Sequence, residues 1–311
     1  MISIPKSVAG PEFDLYISGY KYCESLLQER IDDNIQGAVK DTVSKYGSLI
    51  TDVGLFEQFL LKEVTVYTEP AIGVSDDKLI DKTWWNDLRE RDEFQSQYWQ
   101  RYYDYLNRKP TWSLDAIQEI DTSTDEIMNV LANPTKTTIQ DRMGLLFGHV
   151  QSGKTAHYIA LINKAIDAGY RIIIVFSGIH NSLRSQTQSR IDEEVLGYET
   201  SLENIGDMDR EANSIGVGLG RHNQVRELVQ SITTRDEKGD VNKKTESVSM
   251  MPPFIIITKK IAPVLRRVLR YLKKSPWAEA KDGKKFIPAK YPVLIIDDEA
   301  DQASINTNES Y

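Results

Sequence analysis

The spacing of apolar residues divides the chain into a helical first part and a second part in which strands and helices alternate. Over residues 1–135, apolar positions recur every three to four residues, which is typical of amphipathic helices. Examples are Ile35, Val39, Val43 and Tyr46, the run from Leu55 to Val66, and the aromatic stripe from Phe94 to Leu106. We therefore predict a mainly helical N-terminal domain over residues 1–135. The helical spacing favours a packing role for Trp84, Trp85, Trp99 and Trp112 over base stacking.

The second part, residues 136–311, contains short, fully apolar runs that predict buried parallel strands. These runs are Met143–Phe147, Arg171–Phe176, Phe254–Thr258 and Val293–Ile296. A helix is predicted from Ala156 to Ile166, ending at Gly169, and another is predicted from Ile261 to Leu272. This alternation predicts an α/β fold with a mostly parallel sheet, in which ligands bind at the carboxyl ends of the strands.

A phosphate-binding motif lies between the first predicted strand and its helix. Residues 148–155, GHVQSGKT, fit G-x-x-x-x-G-K-[ST], whose glycines let backbone N–H groups point at a phosphate before a helix N-terminus. The predicted nucleotide-binding residues are Gly148, Gln151, Ser152, Gly153, Lys154 and Thr155. Lys154 would neutralise the β- and γ-phosphates, and the Thr155 hydroxyl would bind Mg²⁺. The strand and helix on either side disfavour a chance glycine turn, so ATP and Mg²⁺ are the predicted cofactors.

Three acidic residues follow the last apolar run. Asp297, Asp298 and Glu299 stand where a buried strand would end, beside the predicted phosphate loop. Asp298 is predicted to hold Mg²⁺ through water, and Asp297 is the competing metal ligand, because spacing alone does not decide between them. Glu299 is predicted to accept the proton of the attacking water as general base. Together with Lys154, these residues predict an ATP hydrolase.

Charge is distributed unevenly along the chain. The net charge is −8, yet eleven Lys or Arg residues stand against Glu279 and Asp282 between Met251 and Lys290. A basic surface of this kind is typical of nucleic-acid binding, although a solvated helix face is an equal alternative. The candidate nucleic-acid contacts are Arg184, Gln186, Lys260, Arg266, Arg267 and Arg270. Gln140 and Arg142 are weak candidates for adenine recognition.

Several local patterns carry further predictions. Ser123 and Glu126 form a capping box that predicts the start of a short helix. The glycines at 216, 218 and 220 lack the strand and helix of a dinucleotide fingerprint, and the polar residues 235–245 predict an exposed, mobile loop.

The single cysteine, Cys23, and the absence of a signal-peptide pattern or a membrane-length apolar run predict a cytoplasmic protein without a membrane partner.

Asp298-Glu299-Ala300-Asp301 spells the DEAD box, so the core resembles the first RecA-like lobe of superfamily 2 helicases and translocases. Residues 150–155, 177–187 and 296–307 together resemble the Z-one domain family of predicted endonucleases, and the similarity extends from about residue 80 to the end. This resemblance implies an ATPase of bacterial restriction or phage-defence loci that acts on DNA. It also implies a second RecA-like lobe, in a longer chain or a partner, so weak turnover is expected of this chain alone. The alternative is an ATP-dependent switch that docks partner proteins without translocation or nuclease activity.

Overall fold

The computed structural model describes residues 4–5, 7–29, 35–64, 83–136, 141–144, 154–201, 213–220, 225–242, 251–298 and 300. Contacts divide the chain into two compact units. The first comprises Met1–Ala71, Leu106–Ser123 and Phe147–Lys154, and the second comprises Ile72–Tyr105, Thr124–Leu146 and Thr155–Tyr311. This division crosses the chain at several points, whereas the sequence predicted one boundary at residue 135.

The first unit has a core of its own, formed by three helices. These are α1 (Pro11–Glu29), α2 (Ile35–Tyr46) and α3 (Val53–Val64). Their inner faces bury Tyr16, Val39, Phe56 and Leu60, and the rings of Tyr16 and Phe56 meet edge-on with centroids 4.9 Å apart. The helical periodicity of the first residues of the chain is thus confirmed.

Two further helices carry most of the tryptophans. They are α4 (Trp84–Arg89) and α5 (Gln97–Arg108). Trp84, Trp85 and Trp99 are all buried, and the Trp85 indole N–H donates to Asp125 Oδ1 at 2.6 Å. The predicted packing role of these three side chains is confirmed, whereas Trp112, for which the same role was predicted, is only partly buried.

Contacts of the buried Lys164 link residues 83–105 to the α/β unit rather than to α1, α2 and α3. Lys164 is fully buried and donates to Asp125 Oδ1 at 2.7 Å. Its ammonium also lies 4.5 Å from the centre of the Trp99 ring. Asp125 also pairs with Arg89 and accepts the Trp85 indole N–H, so one carboxylate joins residues 83–105 to Lys164.

Helix α6 (Leu114–Val130) begins earlier than the sequence predicted. The Ala116 N–H donates to Ser113 Oγ at 3.2 Å at the start of the helix. Ser123 lies within the helix instead, where its hydroxyl donates to Ile120 O at 3.3 Å. The predicted capping box at Ser123 is wrong, because the buried side chains of Ile117 and Ile120 extend the apolar face toward the N-terminus.

The second unit contains a parallel sheet. The strands are β1 (Ile172–Phe176), β2 (Gln230–Ser231), β3 (Phe254–Thr258), β4 (Glu279–Lys281), β5 (Lys284–Phe286) and β6 (Val293–Asp297). Four of them form one parallel sheet in the order β2-β3-β1-β6, and β4 and β5 form a separate antiparallel hairpin. The strands predicted at β1, β3 and β6 are confirmed, and so is the α/β class.

Within the described ranges, three helices accompany this sheet. They are α7 (Lys154–Ala168), α8 (Asn181–Ile191) and α9 (Ala262–Lys274). Helix α7 ends just before Gly169, whose φ of 106° is the left-handed conformation predicted there. Val268, Tyr271 and Leu272 of α9 pack against Phe254 of β3 in a continuous apolar cluster. Helix α9 thus covers part of the sheet with its apolar face, as its spacing predicted.

Candidate functional site

The carboxyl edge of the sheet brings together the residues that follow β1, β3 and β6. Phe176 stands opposite Thr258 on one side and Asp297 on the other. The pairing extends beyond the strands, since Ser177 N–H donates to Thr258 O at 3.1 Å and Asp298 N–H donates to Phe176 O at 3.0 Å. Ligands of open parallel sheets bind at this edge. Asp297 and Asp298 therefore lie where the sequence predicted a ligand site.

The two aspartates have different partners. Asp297 Oδ2 accepts a hydrogen bond from Lys260 Nζ at 2.6 Å in a partly buried ion pair. The backbone N–H of Lys260 also donates to Gly178 O at 2.7 Å, which fixes the lysine beside the edge. A carboxylate that a lysine already neutralises attracts a metal ion less strongly. Of the two metal ligands that the sequence left open, this geometry favours Asp298.

Asp298 contacts the helix that follows the phosphate-loop motif. Tyr158 of α7 is buried, and its hydroxyl lies close enough to the Asp298 carboxylate to feel its charge. Burial raises the pKa of Tyr158, and the negative charge of Asp298 raises it further. The hydroxyl therefore stays protonated at neutral pH and can act as a donor toward Asp298. Sequence reasoning missed Tyr158, because its place four residues after Lys154 looks the same as that of any core aromatic residue.

Much of the predicted phosphate loop lies outside the described residues. The predicted site residues that fall there are Gly148, Gln151, Ser152, Gly153 and Glu299, and the adenine candidate Gln140 also falls there. Lys154 is described only as the first residue of α7, and Thr155, the second, is half-buried. Of the strand predicted over Met143–Phe147, Met143 is 99% exposed rather than buried, and residues 145–147 lie outside the described ranges.

Arg184 is buried rather than exposed, and its role is structural. It is fully buried, and its guanidinium donates to Thr234 O at 2.7 Å and also to Asp236 O. Burial lowers the pKa of Arg184, while nearby carboxylates oppose that shift. The guanidinium is therefore out of reach of a nucleic acid in this structure. The same bonds hold residues 235–242 against α8, so the segment is not the exposed loop that its polarity predicted, and Val241 within it is buried.

The other predicted nucleic-acid contacts differ in accessibility. Gln186 is exposed on α8, whereas the ammonium of Lys260 is engaged by Asp297. Arg266, Arg267 and Arg270 are exposed on α9, opposite the apolar face that packs on the sheet. The basic face of α9 is thus open to solvent, as either a nucleic-acid surface or a solvated helix face requires.

Within the described ranges, His, Cys, Asp and Glu side chains form no group of three or more that could hold a metal ion. Glu299 and residues 148–153 of the phosphate loop lie outside these ranges. In the same part of the chain, no helix combines the length and the apolar character needed to cross a bilayer.

Comparisons with models of known protein families, with curated protein sequences and with solved structures gave no match. Membership of the Z-one domain family therefore stays a prediction from the motifs.

Proposed function

We propose that this chain binds ATP with Mg²⁺ and hydrolyses it, as the first RecA-like lobe of a superfamily 2, helicase-like enzyme that acts on DNA in phage defence. The observation that carries this proposal is the position of Asp298 at the carboxyl edge of the sheet, beside Tyr158 of α7. The acidic end of β6 thus lies near the early turns of the helix that the phosphate-loop motif opens. A phosphate loop followed by an adjacent strand that ends in acidic residues is the half-site that ATP hydrolysis needs.

The residues take the following roles in this proposal. Lys154 and the backbone N–H groups of the phosphate loop bind the β- and γ-phosphates. The Thr155 hydroxyl would bind Mg²⁺ directly and Asp298 would hold it through water, and the ion would neutralise charge on the phosphates. Glu299 accepts a proton from the attacking water. A second RecA-like lobe, in the same protein or in a partner, would add the charge that accelerates the transfer step.

Two substitutions test the nucleotide site. Lys154→Ala removes a charged hydrogen bond to phosphate, so affinity for a fluorescent ATP analogue with Mg²⁺ should fall roughly 10- to 100-fold. Glu299→Gln should preserve this affinity and lower the rate of phosphate release by roughly 10²- to 10⁴-fold. The exposed Lys21 provides the matched control, because Lys21→Ala removes the same charge elsewhere.

Tyr158→Phe refines this test. Without the hydroxyl, Asp298 loses a neighbouring hydrogen-bond donor, so the Mg²⁺ concentration required for half-maximal nucleotide binding should rise several-fold. Turnover that survives Glu299→Gln, or nucleotide affinity equal in Lys154→Ala and Lys21→Ala, would contradict the proposed site.

A nucleotide-dependent switch is a second candidate function, favoured by the separate core of α1, α2 and α3. A helical unit with its own core is suited to docking a partner protein. Turnover measured with and without duplex or single-stranded DNA separates the two functions. A DNA-acting enzyme should be stimulated by DNA, and Arg266→Glu, Arg267→Glu and Arg270→Glu together should remove that stimulation. A switch should show neither effect.

A further inference from the structure

The hairpin of β4 and β5 lies wholly in solvent. All six residues of its two strands are exposed, and Asp282 and Gly283 form the turn with φ of 51° and 74°. An Asp-Gly pair with positive φ at both positions is the preferred two-residue hairpin turn. A hairpin that buries none of its side chains is marginally stable in water. Packing of its own side chains therefore does not explain the stability of this hairpin.

The base of the hairpin is firmly anchored. Trp277, just before β4, is buried, and its ring lies 5.8 Å from the Phe254 ring and 5.5 Å from the Tyr291 ring. Ile287, just after β5, packs against the same cluster. The exposed strands are thus held in a fixed position on the sheet-bearing unit and project from it.

The charges of the hairpin oppose its own stability. Lys281 and Lys284 are direct cross-strand partners, and Lys285 follows on the same strand. Like charges placed directly opposite each other destabilise a β-ladder. Lys281, Lys284 and Lys285 form no ion pair with any residue in the described part of the chain, and Glu279 of the same hairpin pairs with Lys290 at 3.7 Å. A bound polyanion would remove this repulsion.

The preceding helix presents charge of the same sign. From Arg266 to Lys285 there are eight Lys or Arg residues against Glu279 and Asp282, in a chain with a net charge of −8. Of these, Arg266, Arg267, Lys273 and Lys274 are exposed on α9. A surface of one sign on an otherwise acidic protein is typical of a site for phosphodiester backbones.

We propose that the hairpin of β4 and β5 is a duplex-DNA contact, with Lys281 and Lys284, which share one face of the hairpin, on the phosphates that border the major groove. A two-stranded β-ribbon fits the major groove of B-form DNA, about 12 Å wide, but not the deep, narrow major groove of A-form RNA. The contact is independent of base sequence, because phosphates carry no sequence information directly. It shares DNA as a partner with the proposed function and requires no bound nucleotide.

The test is fluorescence anisotropy of the full chain with a labelled DNA duplex, without ATP, over a series of salt concentrations. Each lost phosphate contact should reduce the magnitude of the slope of log affinity against log salt concentration by about 0.9. At ~0.1 M salt this corresponds to a loss of affinity of roughly eightfold per contact. Lys281→Gln with Lys284→Gln should therefore lower the slope by nearly two. The same variant should unfold at an equal or higher temperature, because the cross-strand repulsion is gone.

Two control variants accompany the DNA-binding measurement. Lys21→Gln with Lys40→Gln removes the same net charge from exposed positions on α1 and α2 and should leave the affinity unchanged. Lys281→Arg with Lys284→Arg retains the charges and should retain binding. Equal losses in both glutamine variants, equal affinity for duplex RNA and duplex DNA, or binding to phosphatidylserine vesicles but not to DNA would overturn the proposal. Because no ATP is present, failure of the nucleotide site would leave this result intact.

Discussion

Gly218 shows at the scale of one residue why a glycine-rich segment need not bind a ligand. It lies in a short 3₁₀ turn, Gly216–Leu219, that passes close to Gly197. A β-carbon at Gly218 would stand 1.9 Å from the carbonyl oxygen of Gly197, far inside van der Waals contact. The glycines at 216 and 218 therefore allow two backbone segments to pack closely, which agrees with the absence of a dinucleotide fingerprint in the sequence.

Gly218→Ala should lower the free energy of unfolding by about 1–3 kcal/mol, because the added methyl group forces these backbones apart. Gly144→Ala is the matched control, since a β-carbon there meets no atom within 4 Å. Chemical denaturation of the two variants beside the wild type measures both effects. Equal stability of Gly218→Ala and the wild type would mean that the turn can move away from Gly197.

Asp192 is a buried acid whose ionisation bears on stability. It is fully buried in the π-helical turn Asp192–Leu196, where it accepts hydrogen bonds from Gln188 Nε2 at 2.8 Å and from the Thr200 N–H at 2.9 Å. Burial raises its pKa to about 7, although these hydrogen bonds favour the carboxylate. An aspartate in an unfolded chain has a pKa near ~3.9.

Between about pH 4 and about pH 7 the folded state therefore binds more protons at Asp192 than the unfolded state does. The contribution of Asp192 to stability is greatest below pH 4 and falls as pH rises through that window. Asp192→Asn should remove this dependence, so the difference in unfolding free energy between wild type and variant should change by up to ~1.4 kcal/mol per pH unit. Denaturant titrations at pH 4, 5, 6 and 7 measure it, and a constant difference would show that Asp192 is ionised throughout.

At the scale of elements, one helix supplies the cap of another. The first turn of α5 is capped by Asp167 of α7, whose carboxylate accepts the N–H groups of Tyr98 and Trp99 at 2.9 Å each. Ser96 Oγ lies 3.4 Å from the same carboxylate. A helix N-terminus leaves several N–H groups without partners inside the helix, so an acceptor from another helix both caps α5 and fixes its position.

Asp167→Ala should lower the free energy of unfolding by about 1–2 kcal/mol, because two N–H groups lose their acceptor. Asp167→Asn keeps one acceptor oxygen and should recover part of the loss. Hydrogen exchange at the Tyr98 and Trp99 amides is the direct measurement. Protection of these amides that is the same in all three proteins would mean that another group caps α5.

The hairpin of β4 and β5 also marks a limit of sequence reasoning at this scale. Asp282-Gly283 is the strongest short-range hairpin signal, and it was available in the sequence. The flanking residues lack the alternation of apolar and polar positions that usually indicates strands, so only the turn signal would have identified it. The strands β1 and β3 were predictable because strands buried on both faces read as continuous apolar runs. Strand β6 was predictable from the same kind of run, although its Ile295 is 56% exposed and only Leu294 is buried.

At the scale of the whole molecule, the sequence predicted the α/β class and the acidic end of β6, but not the partners of its charged residues. Lys260 follows β3 and Asp297 ends β6, and the strand between them, β1, is what brings their side chains together. Arg184 is polar in sequence, yet it is buried because two carbonyl oxygens far along the chain accept its hydrogen bonds. Such pairings depend on non-local contacts, which local periodicity does not encode.

Helix α7 connects three of the contacts described above. Tyr158 near its start lies beside Asp298, while Lys164 pairs with Asp125 and Asp167 caps the first turn of α5. Tyr158 and Asp167 are about 14 Å apart along the helix axis, at a rise of 1.5 Å per residue. One helix therefore spans the distance between the acidic end of β6 and the aromatic side chains of α5.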